Sequence, residues 1–246
     1  MKEPIDMVIE IKDLHKSFGA NQILRGVNLT IKRGENVVIL GKSGSGKSVL
    51  IKCIVGLVEA DEGSIVVLDK NITELDSNEL NNIRLKMGFL FQNAALYDSM
   101  TVRENLEFPL QRTFKELSKE ERTERIKTAL KDVGLEEAID KMPSELSGGM
   151  RKRIGLARTL ILVPDIMLYD EPTTGLDTVT SREISELILE MQKKNKTTSI
   201  IITHDMACAK LTGDKVVVIK DGLITAEGTY EELEKSDDKW VKSFFN

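Results

Sequence analysis

Gly41-Lys42-Ser43-Gly44-Ser45-Gly46-Lys47-Ser48 follows the pattern glycine, four residues of any kind, glycine, lysine, then serine or threonine. Glycines let the backbone wrap closely around phosphates and turn its N–H groups inward. The apolar run Asn36 to Leu40 before it reads as a buried strand. Val49 to Val55 after it can continue as a helix, so the motif has its strand–loop–helix setting. A helix opening at Lys47 contributes roughly half a positive charge at its start. Lys47 can reach the β- and γ-phosphates, and the Ser48 hydroxyl can hold Mg²⁺. The chain is therefore expected to bind a nucleoside triphosphate.

Size and charge narrow the setting. At 246 residues the chain fits one large domain or a core with an insertion. A net charge of −5 gives no sign of a nucleic-acid binder, and none is expected as a partner. Cys53 and Cys208 lie far apart and form no metal or redox motif, which suits core thiols in a reducing compartment. The first residues carry no apolar signal segment, and no run approaches the roughly 18 apolar residues that span a bilayer. A cytosolic protein is expected, with any membrane role supplied by a partner.

Moving outward, Val8 to Ile11 and Val27 to Ile31 alternate with period two and read as a half-exposed antiparallel sheet. Phe18, in the turn between them, could stack on a purine base or belong to the core. Met87 to Phe91 reads as a buried strand ending at Gln92, whose amide could orient water, coordinate Mg²⁺ or be an ordinary loop group. From about Asn93 to Leu162 the pattern is helical. Thr101 to Glu104 is a capping box opening a helix that Pro109 is expected to end, and Ser118 to Glu121 is a second box whose helix stops at Gly134. Ser147-Gly148-Gly149 starts a further helix, where it could grip an anion or simply cap the helix.

Ile166 to Tyr169 is a buried strand that delivers Asp170 and Glu171 at its C-terminal end, the edge where open α/β sheets place ligands. One carboxylate can hold Mg²⁺ through water while the other polarises an attacking water, although two acids there could also cap a helix or form a plain turn. Ser199 to Ile202 is the next buried strand and ends near His204. A closing hairpin spans Val216 to Ala226. The aromatic tail Trp240 to Phe245 packs on the core or contacts a partner.

These signals fall in the order of one family. The chain resembles the nucleotide-binding subunit of ABC transporters along nearly its whole length. Gly41 to Ser48 matches Walker A, Gln92 the Q-loop, Leu146 to Met150 the signature, and Ile166 to Glu171 Walker B. Thr174 to Asp177 matches the D-loop and His204 the switch histidine. The resemblance implies an α/β P-loop NTPase (RecA-like) core with an N-terminal antiparallel β subdomain, residues 1–92 and 163–246, and an inserted helical subdomain, 93–162. It implies ATP and Mg²⁺ as cofactors, with Ser48, Gln92 and Asp170 around the metal. Glu171 becomes the general base, His204 the bridge to the γ-phosphate, and Phe18 the base-stacking ring. It also implies a head-to-tail dimer in which Ser147, Gly148, Gly149 and Asp177 complete the partner's site. Integral membrane permease subunits hold the pair at the inner face of the membrane, and Gln92 and the helical subdomain report nucleotide state to them. Met150 departs from the glutamine that most members carry. With Phe91 to Tyr97 and Met142 to Glu145, it is similar to the ATPase of Mla/MCE-type phospholipid transport systems, which implies an MCE lipid-carrier partner.

Overall fold

The computed structural model describes residues 6–245. Alternating apolar and polar residues along Met7–Phe18 (β1) and Asn21–Lys32 (β2) pair the two strands antiparallel through a turn at Gly19 and Ala20. Asn36–Leu40 (β3) is buried throughout and leads into Lys47–Ile54 (α1). Glu62–Val67 (β4) and Lys70–Asn71 (β5) complete a four-stranded antiparallel sheet in the order β2-β1-β4-β5.

Ser77–Arg84 (α2) and Met87–Leu90 (β6) follow. Three helices then run in succession, Val102–Thr113 (α3), Lys119–Asp132 (α4) and Gly148–Leu160 (α5). The chain returns to the core with Ile166–Asp170 (β7), Thr178–Asn195 (α6), Thr198–Ile202 (β8) and Met206–Thr212 (α7). It closes with Lys215–Lys220 (β9), Leu223–Gly228 (β10), Tyr230–Glu234 (α8) and Lys239–Lys242 (α9).

The central six-stranded sheet has the order β10-β9-β3-β8-β7-β6. All neighbours in it run parallel except β10, which pairs antiparallel with β9. Its inner strands β3, β7, β8 and β9 are apolar on both faces because both faces are covered. Val37, Ile39, Leu168, Ile200 and Val217 join one core with α1 and the antiparallel sheet. Val38, Leu40, Met167, Tyr169 and Ile201 join the other with α3 to α7. Alternate residues of one strand thus serve two cores, each buried leucine or isoleucine contributing about 1.5–3 kcal/mol. Both free cysteines are buried, Cys53 under the first core and Cys208 under the second.

Thr101 and Ser118 form the capping boxes expected of them, and Gly134, at φ +66°, ends the turn after α4. Pro109 does not end its helix; α3 runs on to Thr113. A proline inside a helix costs about 3 kcal/mol through the lost N–H and ring clash. Leu106 and Leu110, both fully buried on either side of it, offset that cost by their packing. Among the described residues no helix is long and apolar enough to cross a membrane.

Candidate functional site

Strand order brings the sequence candidates to one edge. β3 and β7 flank β8, so the phosphate loop after β3, Asp170 and Glu171 after β7, and His204 after β8 all leave the sheet at its C-terminal side. The loop is built by close approach. Gly46 sits at φ +106°, and a Cβ there would lie 3.0 Å from the Ile23 carbonyl oxygen. Gly222, in the β9–β10 turn, donates its N–H to the Ser45 carbonyl at 3.2 Å, so β2 and this turn together wedge the loop in place.

Lys47 is buried, and its Nζ donates to the carbonyls of Gly41 at 2.7 Å and Lys42 at 3.0 Å. Burial lowers its pKa, and the carboxylates of Glu171 and Asp170 oppose that shift. The Ser45 hydroxyl is buried within the loop without a hydrogen-bond partner among the described residues. An orphaned hydroxyl beside a lysine and a helix start is the donor set a triphosphate satisfies.

Glu171 has φ +52°, a left-handed backbone that is uncommon outside glycine. Its N–H donates to the Ile202 carbonyl at 2.9 Å, which ties it to the neighbouring strand. Its Oε2 accepts from the Thr174 hydroxyl at 3.1 Å and lies 2.8 Å from Nδ1 of His204. The carboxylate is mostly shielded while the His204 ring is mostly exposed, so the pair has an inner carboxylate and an outer imidazole. Asp170 has its pKa raised, first by burial and then by the Glu171 charge, with Lys52, Lys47 and Lys152 opposing. A cation beside Asp170 would favour its ionised form.

No hydrogen bond among the described residues joins the side chains of the other candidates to this cluster. Phe18 is 52% exposed at the end of β1, which removes the core alternative, and the Lys16 ammonium lies over its ring, 5.4 Å from the centre. Ser147 caps α5, its hydroxyl accepting from the Met150 N–H at 3.2 Å, and no hydrogen bond among the described residues links it to the phosphate loop. Asp177 caps α6, accepting from the N–H groups of Val179 and Thr180 at 3.0 Å each. The two caps adjoin: a Cβ on Gly149 would stand 2.6 Å from the Thr180 methyl. Gln92 is exposed and lines a cavity of about 310 Å³ with Asn93, Gly148, Lys152 and Thr174.

Two features were missed in the sequence. Lys152 is buried and donates to the Glu171 carbonyl; a charged residue on the inward stripe between Gly149 and Leu156 was its signal. Trp240 lies with its ring 4.4 Å from the Lys42 ammonium and 4.7 Å from that of Lys220, which brings the tail to the phosphate loop. The tail packs on its own core, with Val241 buried and Phe245 against Tyr230.

Trp240 is the one tryptophan in the chain. Nucleotide at the loop draws the Lys42 charge toward phosphate, so tryptophan emission is expected to change on titration with ATP. Lys42→Ala is expected to abolish most of that response while ATP still binds. A spectrum indifferent to saturating ATP contradicts the expectation.

Comparison with known proteins decides the family. A model described as ABC transporter matches residues 24–174, more than half of the chain. The chain belongs to the ABC transporter family. As an ABC cassette it binds and hydrolyses ATP.

This cassette is 40% identical over 243 residues to the probable ribonucleotide transport ATP-binding protein mkl of Mycobacterium leprae, covering 99% of this chain and 70% of that protein. It is 38% identical over 228 residues to the L-cystine import ATP-binding protein TcyN of Bacillus subtilis, covering 92% of this chain and 87% of that protein. A solved ATP-binding cassette, dimeric and bound to ADP and Pi in a post-hydrolysis state, superposes with a TM-score of 0.83. It is 35% identical and covers 90% of this chain and 98% of its own.

Proposed function

We propose that this cassette is the ATP-hydrolysing motor of a membrane transporter and that two copies face each other, each finishing the other's triphosphate site. The observation that carries the reading is Glu171, shielded and pinned 2.8 Å from His204, on the same sheet edge as the phosphate loop. In this reading Phe18 stacks on the adenine. Gly41, Ser43, Gly44, Ser45, Gly46 and Lys47 hold the phosphates. Glu171 takes the proton of the attacking water, and His204 bridges to the γ-phosphate.

Ser48, Gln92 and Asp170 fit a Mg²⁺ ion. Such an ion is held by one or two carboxylates plus phosphate oxygens and waters, and no group of three or more His, Cys, Asp or Glu is gathered among the described residues. When bound, the metal would neutralise charge on the phosphates.

Ser147, Gly148, Gly149 and Asp177 serve the second copy. The dimeric ADP-bound relative supports this, as does the lack, among the described residues, of any hydrogen bond from Ser147 or the Asp177 side chain to the chain's own phosphate loop. Residues 93–162 form the helical unit which, with Gln92, relays nucleotide state to permease subunits at the cytoplasmic face. The relatives' names as transport and import ATP-binding proteins support the permease.

For cargo, the signature Met150, Phe91 to Tyr97 and Met142 to Glu145 support phospholipid, with an MCE lipid carrier as a further partner. The names of the relatives, which specify ribonucleotide and cystine, favour a small-solute importer instead. Mass spectrometry of the intact membrane assembly separates the two: bound phospholipid supports the first, its absence the second. The pairing has its own test. Turnover per chain is expected to rise with chain concentration. It is expected to fall at least about tenfold in Ser147→Arg, because each site forfeits a charge-assisted hydrogen bond to phosphate. Turnover indifferent to both would sink the motor.

A further inference from the structure

Lys152 lies in α5, one turn after the signature glycines, and is only 5% exposed. Burying an ammonium is costly unless it is hydrogen-bonded. Among the described residues its one hydrogen-bond acceptor is the main-chain carbonyl of Glu171, 3.1 Å from Nζ. Asp170 and Glu171 are the charged groups that face it. Burial brings its pKa down to about 8 despite those carboxylates, so a charged residue is being kept where an apolar one would pack.

The carbonyl it holds belongs to a residue at φ +52°. Such a backbone persists only where the surroundings over-determine it, at a cost of about 1–3 kcal/mol. The Ile202 carbonyl anchors Glu171 on its N–H side, and Lys152 anchors it on the carbonyl side. Together the two bonds fix the peptide planes from which the carboxylate projects. Gly149 and Lys152 stand three residues apart on the same buried face of α5. A continuous path therefore runs from the helix start through Lys152 to Glu171 of the same chain.

We propose that Lys152 is a positioning residue for hydrolysis: it carries engagement of the signature end of α5 to Glu171 in the same chain by holding the Glu171 carbonyl. The inference rests on the reading of Glu171 as the base. It gives the signature helix a second task. The helix start serves the other copy's nucleotide, and the lysine one turn later sets its own chain's carboxylate. A displaced catalytic group of about 1 Å can cost about 10²-fold in rate, which is the scale to expect.

The test compares Lys152→Met and Lys152→Arg in the purified full chain. Met fills similar volume without a buried charge. It is expected to lower kcat about 10–100-fold, leave KM and directly measured ATP affinity within about threefold, and leave the melting temperature unchanged or higher. Arg keeps a donor and is expected to return kcat to within about fivefold of the parent. In a Glu171→Gln background, Lys152→Met is expected to change residual turnover by less than about twofold, because the group it positions is already gone.

Parental kcat in Lys152→Met, a loss of ATP affinity parallel to kcat, or a full additional loss in the Glu171→Gln background would each overturn the proposal. Should Lys152→Met fail to fold, the Arg variant decides: kcat within about fivefold supports the tie, and inactivity in a folded, ATP-binding protein overturns it. If Glu171→Gln alone keeps full turnover, the base assignment fails instead, and the two failures are distinct.

Discussion

Glu171→Gln is expected to leave ATP binding intact, lower turnover about 10²–10⁴-fold and accumulate a closed, nucleotide-bound dimer. Glutamine is nearly isosteric and can still accept from the Thr174 hydroxyl, so the local geometry survives. What disappears is the proton acceptor. Only an interaction used more strongly in the transition state than in the ground state changes kcat selectively. ATP affinity therefore stays near that of the parent while kcat falls. The left-handed backbone at position 171 is held by main-chain groups of Ile202 and by Lys152, which the substitution does not touch. Steady-state ATPase assays with equilibrium binding, and size-exclusion chromatography with ATP, check the three parts. Unchanged turnover would remove Glu171 as the base and leave the water to another group.

How much of this was legible in the sequence depended on the range of the interaction concerned. Period-two alternation in β1 and β2, and the apolar runs of β3, β7 and β8, gave strands of the right kind, because burial on one or both faces writes itself directly into residue order. The capping boxes at Thr101 and Ser118 were equally plain, since each is closed within four residues. Pro109 was misjudged because what keeps α3 going, the burial of Leu106 and Leu110, is tertiary.

The candidate site divided the same way. The phosphate loop and the acids after β7 were visible as local motifs. The Glu171–His204 contact joins residues 33 apart, and it follows from β7 and β8 being neighbours. The tie from Lys152 to Glu171 and the approach of Trp240 to the phosphate loop escaped notice because neither belongs to a short pattern. One needed the face of α5 that turns inward, and the other needed the tail to fold back on the loop.

Lys47→Ala is expected to weaken ATP binding about 10–100-fold and to abolish measurable turnover, without unfolding the protein. The ammonium is the one side-chain cation inside the phosphate loop that the fold buries. Charge-assisted hydrogen bonds of this kind contribute about 1.5–3 kcal/mol each, and about 1.4 kcal/mol corresponds to a tenfold change in affinity. The backbone N–H groups and the α1 terminus remain in the variant, so binding is weakened rather than lost.

Stability should move differently. Burial lowers the Lys47 pKa, which means protonation favours the unfolded chain, so the charge contributes no folding stability for the substitution to remove. The Gly41 and Lys42 carbonyls lose a donor but gain access to water through the shortened side chain. The melting temperature of Lys47→Ala without nucleotide should therefore match that of the parent, while the rise produced by saturating ATP should shrink sharply. A variant that melts normally yet keeps the full ATP-dependent rise would show that the loop binds phosphate without its lysine. A large loss of stability without nucleotide would instead assign Lys47 to holding the loop together.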